Sequence, residues 1–151
     1  MSKAKSNLRS DSSRVSQEED WRSEVREELG DDYVQSILNF ERMEVEKFKE
    51  FNGKIKKFVQ KRQGINPTRM RKIYEVVRQA KSPEALLLAM PRLAYLVGRE
   101  DRKENKKLIG TIFVVLQDSA EGMKSTEDLR GIQHFAEALV AYHKFYSVDK
   151  K

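Results

Sequence analysis

The sequence predicts an all-α fold, a single compact bundle of about five to six helices. Beyond the first sixteen residues, apolar residues recur three or four positions apart in each segment, which is the spacing of one helix face. No stretch alternates apolar and polar residues between turn signals, as a half-buried strand does. Three Pro and seven Gly in 151 residues also leave little material for the turns of β architecture.

The chain divides into an arm, one domain and a short tail. Residues 1–16 carry mainly Ser, Lys and Arg, with Leu8 and Val15 as the sizeable apolar side chains, so we expect a disordered arm that cannot offset its ordering entropy. A chain of about 150 residues buries enough surface for one core. The helical bundle is therefore predicted over residues 17–147, followed by a tail at 148–151.

The first predicted helix begins at the pattern Ser16-Gln17-Glu18-Glu19, a Ser followed three residues later by Glu, which is a reciprocal helix cap. We expect Gly30 to end it in a left-handed conformation. The next segment, 32–62, has helical periodicity with a possible break at Asn52-Gly53. Its four phenylalanines are predicted to be core residues: Phe40, Phe48, Phe51 and Phe58.

Two Asn/Ser-Pro pairs start the following helices. In Asn66-Pro67 and Ser82-Pro83 the first residue accepts amide hydrogens, and Pro suits the first helical position. Pro91 predicts either two pieces at an angle or one kinked helix over 84–98. Two more helices are expected, at 103–119 and from a cap at Ser125 onward.

Catalysis has little support in the sequence. The chain has no Cys, which excludes disulfide scaffolds, thiolate zinc sites and cysteine nucleophiles. His134 and His143 lie nine residues apart on one helix, so they point to opposite sides, and His143 is expected in the core. Glu137 lies among apolar neighbours, and a structural or surface acid is the favoured interpretation. Phosphate-loop, dinucleotide and zincin motifs are absent. We therefore predict a protein that is not an enzyme and has no cofactor or metal site.

Basic residues are concentrated in the middle of the chain. The formal net charge is +6, yet the 24 residues between Glu50 and Glu75 contain eight bases and no acid. Such a stretch favours a polyanionic partner, either nucleic acid or an acidic membrane surface. The longest apolar run, Ile112 to Leu116, is too short to span a bilayer. With no cleavable apolar segment at the amino terminus either, we expect a cytoplasmic protein that does not enter a membrane.

Two basic stripes follow from helical spacing. On the helix that opens at Pro67, one stripe is formed by Arg71 and Arg78, seven residues apart. The other stripe lies on the helix after Ser82-Pro83, at spacings of three, four and three: Arg92, Tyr95, Arg99 and Arg102. Its Tyr can stack on a base or ribose. The alternative for each stripe is a solvated face paired with Glu on neighbouring helices. The candidate binding residues are Lys54, Lys57, Lys61, Arg69, Arg71, Lys72, Arg78, Arg92, Tyr95, Arg99 and Arg102.

Three segments resemble the small subunit of type III-A CRISPR effector (Csm) complexes. Residues 68–72, Thr-Arg-Met-Arg-Lys, look like that family's Ser/Thr-x-x-Arg-Lys helix start, and residues 91–99 are similar to its Leu-Ala-Tyr…Arg segment. Residues 135–146 resemble its carboxy-terminal signature most specifically. The segments occur in order over residues 66–146, a little over half the chain. Arg69 replaces an uncharged polar residue common in the family, and Ser147 a terminal Gly.

The resemblance implies a non-catalytic helical subunit that stacks in several copies beside the guide-bearing backbone subunits. Its expected partners are crRNA and target RNA, the other subunits of the complex and copies of itself. In that family, target cleavage belongs to the backbone subunit. Carried over onto this sequence, the groove-lining bases would be Arg71, Lys72, Arg92 and Arg99.

Two other functions remain open from the sequence. One is a protein-interaction or scaffold bundle without direct RNA contact, whose basic faces contact acidic partners. The other is a nuclease that assembles an acid cluster from distant helices, with Glu137 as a candidate. Because base-reading residues at recognition-helix spacing are absent, sequence-independent contact with the RNA backbone is the main prediction.

Overall fold

In the computed structural model of the chain, the backbone is described over residues 2–147 and the side chains from Ser16 to Ser147. These residues form α-helices and no strand, which confirms the all-α prediction. The helices are α1 Ser2–Leu29, α2 Tyr33–Leu38, α3 Val45–Gln60, α4 Pro67–Gln79, α5 Pro83–Gly98, α6 Lys103–Gly122 and α7 Thr126–Ser147.

Helix α1 ends as its sequence predicts, at Gly30, whose φ of 100° is the left-handed conformation that Gly adopts without strain. Ser16 lies inside α1 and does not begin a helix, so the reciprocal cap is not placed where we predicted it. The predicted disordered arm, 1–16, falls almost entirely outside the described side chains, and the tail at 148–151 lies outside the described residues. Both remain predictions.

The break between α2 and α3 was predicted at the wrong place. Asn52 and Gly53 lie inside α3, which buries Phe51 and Ile55 on either side of them. Burial of this face against the core outweighs the weak helix propensity of the pair. The true break, residues 39–44, contains neither Pro nor Gly, and tertiary contacts hold it instead. The Phe40 ring in this break packs edge-on against the ring of Phe48 in α3, with 5.2 Å between the ring centroids.

The starts of α4, α5 and α7 are capped as predicted. Asn66 Oδ1 accepts a hydrogen bond from the Thr68 N–H (2.7 Å), and Ser82 Oγ accepts one from the Ala85 N–H (3.1 Å). Ser125 Oγ accepts one from the N–H of the third residue of α7 (3.2 Å). Pro91 lies inside a continuous α5, so the interpretation as two separate pieces is wrong. Its ring is on the exposed side of α5, where water can reach the carbonyl that lacks an amide partner.

Helices α6 and α7 organise the core. Helix α6 contacts α1, α2, α5 and α7, while α7 also contacts α3 and α4. Of the four predicted core phenylalanines, Phe51 and Phe58 are buried, while Phe40 and Phe48 are half-buried. Helices α2 and α7 lie close together because Gly131 of α7 has no side chain. A Cβ at this position would overlap the carbonyl oxygen of Ile37 at the end of α2.

A buried arginine joins α1, α3 and α6. The side chain of Arg62 is only 1% exposed, and its guanidinium lies 3.6 Å from the centroid of the Phe58 ring. It donates to Thr111 Oγ1 (2.8 Å), the Phe58 carbonyl (2.8 Å), Glu28 (2.7 and 3.0 Å) and Glu24 (2.9 Å). All five donors of the guanidinium therefore have acceptors. Arg62 belongs to the acid-free stretch in sequence, but in the fold it is a structural cation.

A second polar cluster fixes the break between α2 and α3 to the start of α7. Asp128 accepts hydrogen bonds from the Lys124 N–H and from Arg42 Nη2, each 2.8 Å, and Arg42 also donates to the Leu38 carbonyl. Burial of Asp128 raises the pKa of its carboxyl, but these hydrogen bonds outweigh burial and hold that pKa below its usual value.

The Asp128 variant D128N is expected to be less stable than the wild-type chain at pH 7, by about 1 kcal/mol, because Asn weakens charge-assisted hydrogen bonds. A carboxyl whose pKa is lower in the native state binds fewer protons there than in the unfolded chain, so its contribution to stability is lost as pH falls through the native pKa. Urea denaturation of both proteins in a series from pH 7 down through the acid titration of carboxyl groups measures this. An undiminished difference between them in acid would contradict it.

Candidate nucleic-acid interface

Helix α4 presents its basic residues to solvent because its apolar face is fully used. Met70, Ile73 and Val77 are buried, at most 5% exposed, with the spacing of a single helix face. Arg71 and Lys72 lie on the opposite, exposed side. The sequence pattern predicted this orientation.

Helix α5 is oriented in the same way. Its apolar face buries Leu86, Met90 and Leu93, which leaves Arg92 and Tyr95 exposed on the other side. Tyr95 as a residue is 67% exposed, which is unusual for an aromatic residue of this size.

The outward faces of α4 and α5 border one open groove with a volume of about 750 Å³. Three cations, Arg71 and Lys72 from α4 and Arg92 from α5, line it together with Tyr95. We call this surface the α4/α5 groove. Its apolar lining comes from Val76, Pro91 and Leu96. Four candidate residues that the sequence placed on two separate stripes therefore meet at one site.

No described carboxylate neutralises the cations of the α4/α5 groove through an ion pair. Within residues 16–147, Arg71, Lys72 and Arg92 form none with a carboxylate. Glu75 also lines the groove, but Arg78 donates to it from the same helix (2.8 Å). The pKa of Glu75 is lowered chiefly by this hydrogen bond, and the charge of Arg71 contributes. Three cations against one paired acid leave the groove net positive.

Two candidate arginines of α4 are engaged with carboxylates. Arg69 forms an ion pair with Glu100, which follows α5, so it ties the two helices together. Arg78 holds Glu75, as described above, and does not line the groove. The alternative interpretation, pairing with Glu from a neighbouring helix, fits Arg69, whereas Arg78 pairs within α4 itself.

The stripe on α5 is shorter than predicted, because the helix ends at Gly98. Arg99 caps it with near-helical dihedral angles, and its guanidinium lies over the Tyr95 ring, 5.8 Å from the centroid. Arg102 is exposed but precedes α6, where it does not line the groove. Helical spacing holds from Tyr95 to Arg99 and fails at Arg102, because it assumes a helix that continues.

The three candidate lysines of α3 lie on another surface. Lys54, Lys57 and Lys61 line a groove of about 1030 Å³ between α1, α3 and α6. Four glutamates line the same groove: Glu24, Glu27, Glu28 and Glu104. The stretch that is free of acid in sequence therefore meets acids from other helices in space. We call this surface the mixed-charge groove.

Sequence reasoning missed two polar residues of the α4/α5 groove, Thr68 and Gln79. Both share a helix face with Lys72 and Glu75, at spacings of three or four residues, so the signal was available. Without the position of α5, nothing marked that face as one side of a groove.

The residues considered for catalysis lie apart from this site. His143 is buried, as predicted, and His134 is exposed beside Glu41 and Glu137. The Glu137 side chain is 62% exposed, so of the two favoured interpretations, a surface acid or a structural acid, it is the surface acid. Over the described part of the chain, no three His, Asp or Glu side chains come close enough together to hold a metal ion.

A comparison with known families decides the assignment. The profile of the family described as Csm2 Type III-A matches residues 37–149. The chain belongs to the Csm2 family. It is thus a small subunit of the type III-A Csm complex, a non-catalytic subunit family, which confirms the resemblance seen in the sequence and implies other subunits as partners.

The Csm2 match includes both helices of the α4/α5 groove and all three segments on which the resemblance rests. No curated protein and no solved structure matches this Csm2 chain. Among the described residues, no helix combines the length and apolarity that crossing a membrane requires.

Proposed function

We propose that this Csm2 subunit binds the backbone of crRNA or target RNA in the α4/α5 groove, without sequence specificity. The observation that carries the proposal is that two helices bring an exposed tyrosine and three cations, none of them ion-paired within residues 16–147, to the same groove. Guanidinium groups bind phosphates with two parallel hydrogen bonds, and every base offers a face for stacking on Tyr95.

The groove divides its contacts by chemistry. Arg71, Lys72 and Arg92 contact phosphates, while the apolar surface formed by Val76 and Leu96 accommodates ribose or base faces. Three to four phosphate contacts predict a log–log salt slope of about −2 to −3 for a single strand. Stacking of Csm2 copies beside the guide-bearing subunits would join several such grooves along one RNA.

The proposal is tested by reversing two groove charges in the double variant R71E/R92E. We expect binding to weaken by about 10- to 30-fold for each of two unrelated single-stranded RNAs, because contacts with phosphates carry no sequence information. Fluorescence anisotropy at fixed salt measures this. The matched control is K57E/K61E in the mixed-charge groove, with the same change in net charge and an expected loss below about 3-fold.

Two outcomes would contradict this proposal. Loss of binding to only one RNA would indicate base readout, and equal losses in both double variants would indicate a diffuse electrostatic effect. The alternative function, a protein-interaction bundle, is favoured by the exposed Leu88 of α5, which is 80% accessible. It predicts no salt-sensitive mobility shift with any RNA.

A further inference from the structure

A second, smaller cavity lies beside the α4/α5 groove, between the first turn of α4 and the last turns of α7. Its volume is about 300 Å³, and its lining includes Thr68 and Arg71 from α4 and Val140, His143 and Lys144 from α7. We call it the α4/α7 cleft. Lys144 lies in the third family segment, residues 135–146, but neither that segment nor the basic stripes marked it as a binding residue.

The charge of the α4/α7 cleft is uniform. Arg71 and Lys144 are both exposed cations on its lining, and no carboxylate of residues 16–147 lines it. Within residues 16–147, neither cation forms an ion pair. Two neighbouring cations without an acid repel each other, and an anion between them relieves this repulsion.

The walls of the cleft strengthen its preference for an anion. Met70 also lines it and is only 2% exposed, and His143 contributes a buried imidazole ring, 1% exposed. The half-buried Val140 adds an apolar side chain. Because these side chains shield one side of the cleft from water, the attraction between an anion there and the two exposed cations is screened less than on an open surface.

Arg71 connects the cleft to the α4/α5 groove, because the same side chain lines both. Thr68 is likewise shared. A strand that leaves the groove past Arg71 therefore meets Lys144 next. We infer that the α4/α7 cleft binds one internal phosphate of the RNA strand held in the groove, with Arg71 and Lys144 as its ligands. This inference rests on the proposed function and extends its interface from α4 and α5 to α7.

The experiment uses the full chain and a 12-nucleotide oligouridylate in two forms, with a 5′-hydroxyl and with a 5′-phosphate. Affinity is measured by anisotropy across a salt series for the wild type, K144Q and the control K47Q. Lys47 is exposed on α3 and lines neither surface, so its variant makes the same change in net charge away from the cleft. For K144Q we expect about 3- to 10-fold weaker binding and a salt slope less steep by about 0.7, the value of one lost phosphate contact on a single strand.

The results separate this inference from the proposed function. If K144Q keeps the wild-type salt slope while R71E/R92E loses binding, the inferred phosphate site in the cleft is overturned, and RNA binding in the α4/α5 groove is supported. If the effect of K144Q is confined to the 5′-phosphorylated RNA, the cleft binds a strand end, which overturns an internal phosphate. If the wild-type chain binds neither RNA, both the function and the inference fail. A smaller slope for K144Q alone, with both RNAs, supports the inference.

Discussion

Replacing Arg62 with Met is expected to lower the free energy of unfolding by about 3–5 kcal/mol, the cost of breaking a buried ion pair by removing one partner. The five hydrogen bonds of the guanidinium are lost, and Glu24 and Glu28 then face each other as half-buried carboxylates without their shared cation. Urea denaturation followed by circular dichroism measures the change. For a chain of this length, it corresponds to a fall in Tm of about 6–20 °C.

The neighbouring residue provides the control for this prediction. Lys61 is exposed and carries the same charge, so Lys61→Met is expected to change stability by no more than about 0.5 kcal/mol. If Arg62→Met proved as stable as Lys61→Met, the buried cluster would contribute nothing to the fold. Arg62→Lys should recover only part of the loss, because an ammonium has three donors in place of five.

Substituting Ala for Gly131 is expected to destabilise the fold by about 2–3 kcal/mol, the upper range for overpacking. The new methyl group would overlap the Ile37 carbonyl oxygen and lie 2.9 Å from that of Leu38. Because both atoms belong to the backbone of α2, no side-chain rotation relieves the clash. Helices α2 and α7 must move apart. Chemical denaturation gives the magnitude, and exchange of the α2 amides locates it.

Gly53 offers the opposite result with the same substitution. It lies within α3, and a Cβ there would meet no atom within 4 Å. Gly53→Ala is expected to stabilise the chain by about 0.5–1 kcal/mol through helix propensity. Destabilisation in both variants, or in neither, would mean that crowding at Gly131 is not the cause.

Local signals made much of the fold predictable. The caps at Asn66, Ser82 and Ser125 depend on side chains that bond amides two or three residues away, and such interactions are encoded within a few positions. The end of α1 at Gly30 is of the same kind. The break at 39–44 was missed because Arg42 fixes it through Asp128, 86 residues further along the chain. No local pattern reports such a contact.

The candidate site was likewise predictable only where spacing within one helix determines the geometry. Which side chains of α4 and α5 point outward follows from helical periodicity, and Arg71, Lys72, Arg92 and Tyr95 do line one groove. Which cations are engaged by carboxylates depends in part on other helices. Glu100 engages Arg69, and Glu24 and Glu28 of α1 hold Arg62. A net charge read along the sequence treats all these bases as equal, whereas the fold distinguishes them.

The buried Arg62 cluster has a consequence for the boundaries of the folded unit. The family match begins at residue 37, yet both acids that compensate this cation belong to α1, as does Trp21, whose ring packs where Gly110 of α6 leaves room for it. A truncation to the matched region would leave the buried Arg62 guanidinium without its two carboxylates. It would also expose the apolar surface of α6 that the Trp21 ring covers. Residues 16–29 are therefore integral to the bundle and not an appendage to it.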